Sequence, residues 1–546
     1  MSNTMKLPVG IQEFEKLRNE GYVYLDKTPL IWKMVNEGCY YFLSRPRRFG
    51  KSLLMSTIQA FFEGKKKYFD GTVGEPLFIA TDESVNWNWE SYPIMHLDLN
   101  TDKYTSREAL ENRINDFLHK LESLYGSYPT EKSFGQRFEG IIERAYKQTG
   151  KQVVILVDEY DKPVLQAIGN EALQEEYRVT LKGFYGALKT MDGCIRFALL
   201  TGVTKFGKLS VFSDLNNLKD ISLDERYACL CGITSNEIDT GLKPYVEKFA
   251  EKNGTGLEAA LEKNGTDTEE VLENLRKHYD GYHFCENTQG IYNPFSLLNA
   301  LDSLKLGSYW FSTGTPSFLL EKMREFRTDI LKLNRTELMP ASAFESSIQE
   351  MDSALPLLYQ SGYLTIKDYS PVSCSYTLGI PNEEVRIGLF ENLLKRLTPL
   401  NTDQRMNMVD AMHKALRRGD ADAAMKALQS FLSGVPYMYE GREILEDLEK
   451  LEALHQRDLY ILFNGMGLNL ETEVKQAKGR VDMVVWLPDA IYIFEFKMRG
   501  TASSALAQIE KNLYDAPYMA DPRPKVKVGV RFTCAKHTIT SWKVAR

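Results

Sequence analysis

The sequence predicts a multidomain α/β protein in which two sheet-bearing blocks flank a mainly helical middle. Three observations lead there. At 546 residues the chain exceeds what one core serves, since domains run to about 100–200 residues, so three or four units are expected. The first ~230 residues alternate short apolar runs with amphipathic stretches, as a parallel sheet with crossover helices requires. A second, smaller set of apolar runs follows residue 455. The composition, 43% hydrophobic, 26% charged and 11% aromatic, excludes a disordered chain. A net charge of -7 argues against general coating of nucleic acid, while a local basic groove stays open. No stretch approaches the roughly 20 apolar residues needed to span a bilayer, and Met1–Gly10 lack an apolar signal region, so a cytoplasmic protein without membrane attachment is expected. The seven cysteines are scattered, and Cys229 with Cys231 makes only C-x-C. Reduced thiols are expected, not structural zinc.

In the first block the runs Cys39–Leu43, Val153–Val157 and Ile195–Leu200 read as strands buried on both faces, with Ile94–Leu99 beside them. From about Ser235 to Tyr279 the pattern is helical, punctuated at Asn253–Gly256 and Asn264–Gly265. Between Asn293 and about Thr398, helices accompany a hairpin from Gly362–Ile366 to Ser375–Leu378, with Ser370-Pro371 in its turn, an order compatible with a winged helix. Met406–Leu432 is strongly helical, and its Ala421–Leu432 part reads as core packing. The last block carries strands over Leu470–Val474, Arg480–Trp486, Ala490–Phe496 and Val526–Phe532. The expected division is 1–230, 231–400, 401–454 and 455–546.

Gly50-Lys51-Ser52 lies between an apolar run and the helical stretch Leu53–Phe62, the context in which a phosphate loop works. Backbone N–H groups of Arg48, Phe49, Gly50, Lys51, Ser52 and Leu53 would wrap phosphates at a helix N-terminus. Lys51 would reach the β- and γ-phosphates of ATP, and the Ser52 hydroxyl would hold Mg²⁺. In G-x-x-x-x-G-K-[ST] the first glycine falls where this chain has Arg45. The loop Arg45–Gly50 is basic, and its arginines either reinforce phosphate binding or form an exposed turn. A second motif supports the first: Val153–Val157 ends in Asp158-Glu159. Asp158 would sit beside the Mg²⁺, and Glu159 would orient and deprotonate the attacking water. Thr201, ending another apolar strand, either contacts the γ-phosphate or water, or forms a strand-end turn.

In the last block, Asp482 is followed by Glu495 and Lys497, which share one face of a strand because side chains alternate. Asp482 and Glu495 on neighbouring strands would bind Mg²⁺ for in-line attack on a phosphodiester, with Lys497 positioning water and steadying phosphate charge. Glu473 is a further candidate ligand; of Glu471 and Glu473, only one is expected to face the site. Gln508 would orient the nucleophile or the scissile phosphate. The plainer alternative is a Glu–Lys ion pair at a sheet edge.

Taken together these segments resemble the bacterial AAA-ATPase-like family with a C-terminal PD-(D/E)XK nuclease superfamily domain. The resemblance is carried by Gly21–Thr28, Ser44–Leu53, Leu156–Asp161, Thr201–Phe206, Asp214–Leu218 with Asp220–Leu223, Tyr279–Tyr282, Tyr292–Ser296, Gly479–Asp482, Glu495–Lys497 and Ala505–Ile509. Arg45 agrees with the family's own form of the phosphate loop. The resemblance implies a P-loop NTPase three-layer core over 1–230 and a helical lid with a winged-helix-like region over 231–400. A helical connector over 401–454 and a restriction-endonuclease-like α/β domain over 455–546 complete it. ATP, Mg²⁺ and nucleic acid, DNA first, are the expected cofactors and partner. Three functions compete: an ATP-regulated nuclease, a nucleotide-dependent switch that binds without cutting, and a defence or mobile-element scaffold working through a homo-oligomer or protein partner. Arg45, Arg47, Arg48 and Arg226 are candidates for an arginine finger, unless a neighbouring subunit supplies it.

Overall fold

The computed structural model describes all residues except 1–4, 206–211, 213–214, 216, 254–266, 314–316, 327, 334–336, 346–350, 398–399, 435–447, 477 and 534–537. The expected punctuation at Gly254–Gly256 and Asn264–Gly265, and Phe206, Asp214 and Asn216 of the family segments, lie outside the described residues. The chain divides into two compact units, 1–328 with 336–382, and 329–335 with 383–546.

The first unit is built on five strands: β1 (Tyr40–Ser44), β2 (Ile94–Asp98), β3 (Val153–Asp158), β4 (Ile195–Gly202) and β5 (Lys219–Asp220). Their order is β2-β3-β4-β1-β5, and every neighbouring pair is parallel. β1 and β3 are buried at every residue, which is why they read as unbroken apolar runs. The helices Arg107–Tyr125, Phe134–Thr149 and Glu171–Tyr185 cover one face, where Leu118, Ile142 and Phe184 join Phe42, Ile155 and Leu200 in one core. Ser133 and Gln136 close a capping box at the start of the second of these helices, which satisfies two backbone donors that the helix leaves unpaired. The helix Lys51–Phe62 covers the other face, where Phe62 meets Phe197 with ring centroids 5.3 Å apart. Helix, sheet and helix thus form three layers, and each fully buried Leu, Ile or Phe contributes about 1.5–3 kcal/mol.

A second, antiparallel sheet in this unit contains the expected hairpin, now β7 (Thr365–Ser370) and β8 (Ser375–Gly379). The sequence reading missed its third strand, β6 (Glu337–Pro340), which pairs with β8.

The second unit carries β9 (Asn469–Gln476), β10 (Gly479–Trp486), β11 (Ile491–Lys497), β12 (Lys525–Phe532) and β13 (Ile539–Ala545). The order is β13-β12-β11-β10-β9. β11 and β12 are parallel and joined through the helix Ala502–Asn512, whereas the other pairs are antiparallel. Ile491 and Ile493 pack with Ile509 of that helix. On the opposite face Phe494 meets Phe463 of the helix Leu448–Gly465. The helical stretch expected over 406–432 is two helices, Thr402–Arg417 and Ala421–Gly434. They break at Gly419, whose φ of 71° a side chain would disfavour. The helix Glu383–Leu397 belongs to this second unit. Among the described residues, no helix is long and apolar enough to cross a membrane.

Candidate functional site

In the first unit the expected phosphate-binding and hydrolytic residues meet at the carboxyl ends of β1, β3 and β4, where open α/β sheets bind ligands. β1 ends at Ser44, and the loop 45–50 leads into a helix that begins at Lys51. Gly50 has φ 92°, which glycine adopts without steric cost, so the turn into the helix needs it. β4 lies between β1 and β3, which brings Thr201 beside Asp158. Ser52 Oγ donates to Asp158 Oδ2 at 2.7 Å, and Thr201 Oγ1 donates to Asp158 Oδ1 at 2.6 Å. Lys51 Nζ lies 3.2 Å from Glu159 Oε1 and donates to the carbonyls of Arg45 and Pro46. The strand-end residues therefore share one hydrogen-bonded cluster.

The arginines divide by environment. Arg45 is 1% exposed, donates to the carbonyls of Ser44, Ser222 and Tyr227 and lies 4.0 Å from the centre of the Phe284 ring. This corrects both expectations for Arg45: it is neither an exposed turn residue nor a phosphate-facing cation, but a buried brace behind the loop. Arg48 donates to the Tyr309 carbonyl at 2.8 Å and lies over Phe295. Phe49 packs its ring on Tyr282 and Phe284. Arg226 pairs with Asp224 and Glu37, and Arg47 is exposed on the loop. Beside the loop lies a cavity of about 100 Å³, bordered by Gly50, Leu53, Tyr24, Lys27, Cys231 and Leu298.

In the second unit, β10 and β11 pair as far as Met483 opposite Phe494. One step further, at Asp482 and Glu495, the ladder stops, and the Asp482 carboxylate takes the Phe496 N–H at 2.7 Å. Glu495, 2% exposed, accepts from Lys497 Nζ at 3.1 Å and from the Gln508 amide, both through Oε1. Its Oε2 is buried without a hydrogen-bond partner. Burial, then the neighbouring Glu495 charge, pushes the Asp482 carboxyl up to about 8. Burial likewise raises Glu495, opposed by Lys497. Two buried carboxylates that repel and leave an oxygen unsatisfied are costly alone, and a divalent cation would relieve both penalties. Among the described residues no three His, Cys, Asp or Glu side chains are gathered to hold a metal. Mg²⁺ takes one or two carboxylates and completes its shell with water and phosphate, so the pair suits it. Hence Asp482, Glu495, Lys497 and Gln508 come together, whereas Glu473 pairs with Arg480 at 2.5 Å and has φ 57°.

Sequence reasoning missed Glu452 on the helix Leu448–Gly465, whose charge reaches both Asp482 and Glu495. The signal was available: Glu452, His455 and Asp458 repeat every three residues along an apolar helix, and His455 and Asp458 are buried.

A three-layer parallel sheet with Gly-Lys-Ser at the turn into its first helix, and a second sheet with buried carboxylates beside a lysine, are the features of an ATPase-like protein bearing a nuclease-like unit. Comparison with known proteins agrees. Residues 8–212 match the AAA-ATPase-like family, described as a predicted AAA-ATPase, and residues 450–542 match the PD-(D/E)XK nuclease superfamily. The chain is 33% identical over 547 residues to an uncharacterized protein in the vnfD 5′ region of Azotobacter chroococcum mcd 1, covering 99% of this chain and 98% of that relative. It belongs to the AAA-ATPase-like family that carries a C-terminal PD-(D/E)XK nuclease superfamily domain.

Proposed function

We propose that the protein hydrolyses ATP in its first unit and cleaves nucleic-acid phosphodiesters in its second, with nucleotide state regulating the cut. The observation that carries the reading is the cluster at Glu495: a buried carboxylate beside Asp482, contacted by Lys497 and Gln508, with one oxygen left over. A structural ion pair at a sheet edge does not require the second buried carboxylate. Asp482 and Glu495 would hold Mg²⁺, which supplies charge stabilisation and an activated water when bound. Lys497 would orient that water and steady the phosphate, and Gln508 holds Glu495 in place.

At the other site Ser52 and Asp158 would hold the nucleotide's Mg²⁺, Lys51 would bind the phosphates, and Glu159 would take a proton from water. Breaking the Lys51–Glu159 ion pair frees each for its task. The cavity beside Gly50 and Leu53 would take the nucleobase. The four-part division, with a lid and winged-helix-like region over 231–400, belongs to the same proposal, as does a cytoplasmic, DNA-directed role.

The test incubates the full chain with single- and double-stranded DNA and RNA, Mg²⁺ or Mn²⁺, with and without ATP. Lys51→Ala and Asp482→Ala variants run alongside. Cleavage lost in Asp482→Ala, and responsive to ATP only with Lys51 intact, is the expected result. Binding of ATP without cleavage under any condition replaces this reading with a non-cutting switch.

A further inference from the structure

Glu159 has φ 56°, a left-handed conformation that costs a residue with a side chain about 1 kcal/mol or more and persists only where its surroundings over-determine it. Five contacts just beyond it do so. The Tyr160 N–H donates to the Thr201 carbonyl at 3.0 Å, and the Tyr160 hydroxyl donates to the Thr204 carbonyl at 2.9 Å. Asp161, 1% exposed, accepts from Val203 N–H at 3.2 Å, and from both the N–H and the hydroxyl of Thr204 at 2.6 Å. The exits of β3 and β4 are thereby one hydrogen-bonded plate.

Nothing in the expected roles of this segment uses Asp161. A buried carboxylate is costly, and here burial and then the Glu159 charge push it up to about 6. It stays in the structure because three donors converge on it. The fit is close: a Cβ on Gly202 would stand 2.6 Å from Asp161 Oδ1 and from the Tyr160 ring.

We propose that Asp161 is a positioning residue for ATP hydrolysis: by clamping Val203 and Thr204 it fixes Thr201 against Asp158 and holds Glu159 in its strained, water-facing turn. Resting on the ATPase reading above, this assigns no substrate contact to Asp161. The carboxylate instead sets the geometry of two groups that flank the reacting phosphate. Misplacement of such groups by about 1 Å costs on the order of 100-fold in rate, while the phosphate loop that binds nucleotide sits on a different strand. The clamp therefore affects turnover, not nucleotide binding.

The experiment measures steady-state ATP hydrolysis, and binding of a fluorescent ATP analogue, for the full chain and for Lys51→Ala, Asp161→Asn, Thr204→Val and Thr204→Ser. Asp161→Asn turns one acceptor into a donor facing the backbone N–H groups. It is expected to lower kcat by about 10-fold or more with analogue affinity within about twofold. Thr204→Val removes only the hydroxyl donor, keeps the clamp falsifiable should Asp161→Asn fold poorly, and is expected to lower kcat by about three- to tenfold. Thr204→Ser keeps the hydroxyl and restores turnover. If turnover is unchanged in both Asp161→Asn and Thr204→Val, or if affinity falls in parallel with kcat, the clamp is wrong and the ATPase reading stands. If the unaltered chain turns over no ATP beyond Lys51→Ala, both are wrong.

Discussion

Replacing Asp482 by Asn should stabilise the metal-free second unit while abolishing cleavage. In the unfolded chain Asp482 titrates near the ordinary 3.8, whereas in the fold burial and Glu495 push it up to about 8. Between those values the unfolded state binds fewer protons than the native state, so native stability falls as pH rises through that window. At pH 7 the penalty has a ceiling of about 4 kcal/mol. Asparagine does not carry it: a neutral amide has no charge to desolvate or to set against Glu495, and its carbonyl oxygen can still take the Phe496 N–H. A gain of about 2 kcal/mol would raise the melting temperature of a unit this size by about 4–8 °C. The assay is differential scanning calorimetry with a chelator at pH 4, 6, 7 and 8. The two proteins should melt together at pH 4, and the variant's advantage should widen towards pH 8. Mg²⁺ or Mn²⁺ should then stabilise the original protein and leave the variant unmoved. A variant that melts at or below the original at pH 7, or a gap independent of pH, would refute the reasoning.

Metal affinity should also follow pH. Because a cation must displace the Asp482 proton, the dissociation constant for Mn²⁺, read by calorimetric titration, should weaken about tenfold per unit below pH 8 for one proton released. Arg45→Ala strands the Ser44, Ser222 and Tyr227 carbonyls and should cost the first unit about 3–5 kcal/mol in urea unfolding. Lysine should rescue little of it, since one ammonium cannot reproduce the planar fork. Glu159→Gln should keep ATP binding and slow hydrolysis about 100-fold or more in a phosphate-release assay, whereas Lys51→Ala should lose binding. Gly529→Ala places a Cβ against the Ala502 carbonyl oxygen and the Leu506 nitrogen. It should cost about 1–3 kcal/mol and, by shifting the helix that carries Gln508, lower cleavage activity.

Which features were legible follows from how local their signals are. β1, β3 and β4 were readable because central strands buried on both faces are continuous apolar runs, and β10, β11 and β12 because apolar residues dominate them with charges two residues apart. β5 has only two residues, β6 exposes Leu338, and β13 alternates weakly at an edge. None of the three carries a period strong enough to read. Asp482, Glu495, Lys497 and Gln508 were legible because charge inside an apolar strand, or at fixed spacing from one, demands a reason. Glu473 was expected only as a further ligand, and its left-handed backbone and its pairing with Arg480 are not periodic properties that a strand pattern displays.

By itself the sequence determined the mixed α/β class, the Gly-Lys-Ser turn between a strand and a helix, the strand that ends in two carboxylates, and the strand-borne carboxylate–lysine pair. These rest on short-range regularities, namely burial runs, helix starts and period-two faces, which a linear chain displays directly. Tertiary structure alone decided that Arg45 is a buried brace, that Asp161 ties two strand ends together and that the Glu452 charge reaches Asp482 and Glu495. Each of these depends on residues 30 to more than 180 positions apart being brought to hydrogen-bonding or Coulombic range. Only the closed core, by excluding water, makes such contacts strong enough to place a side chain.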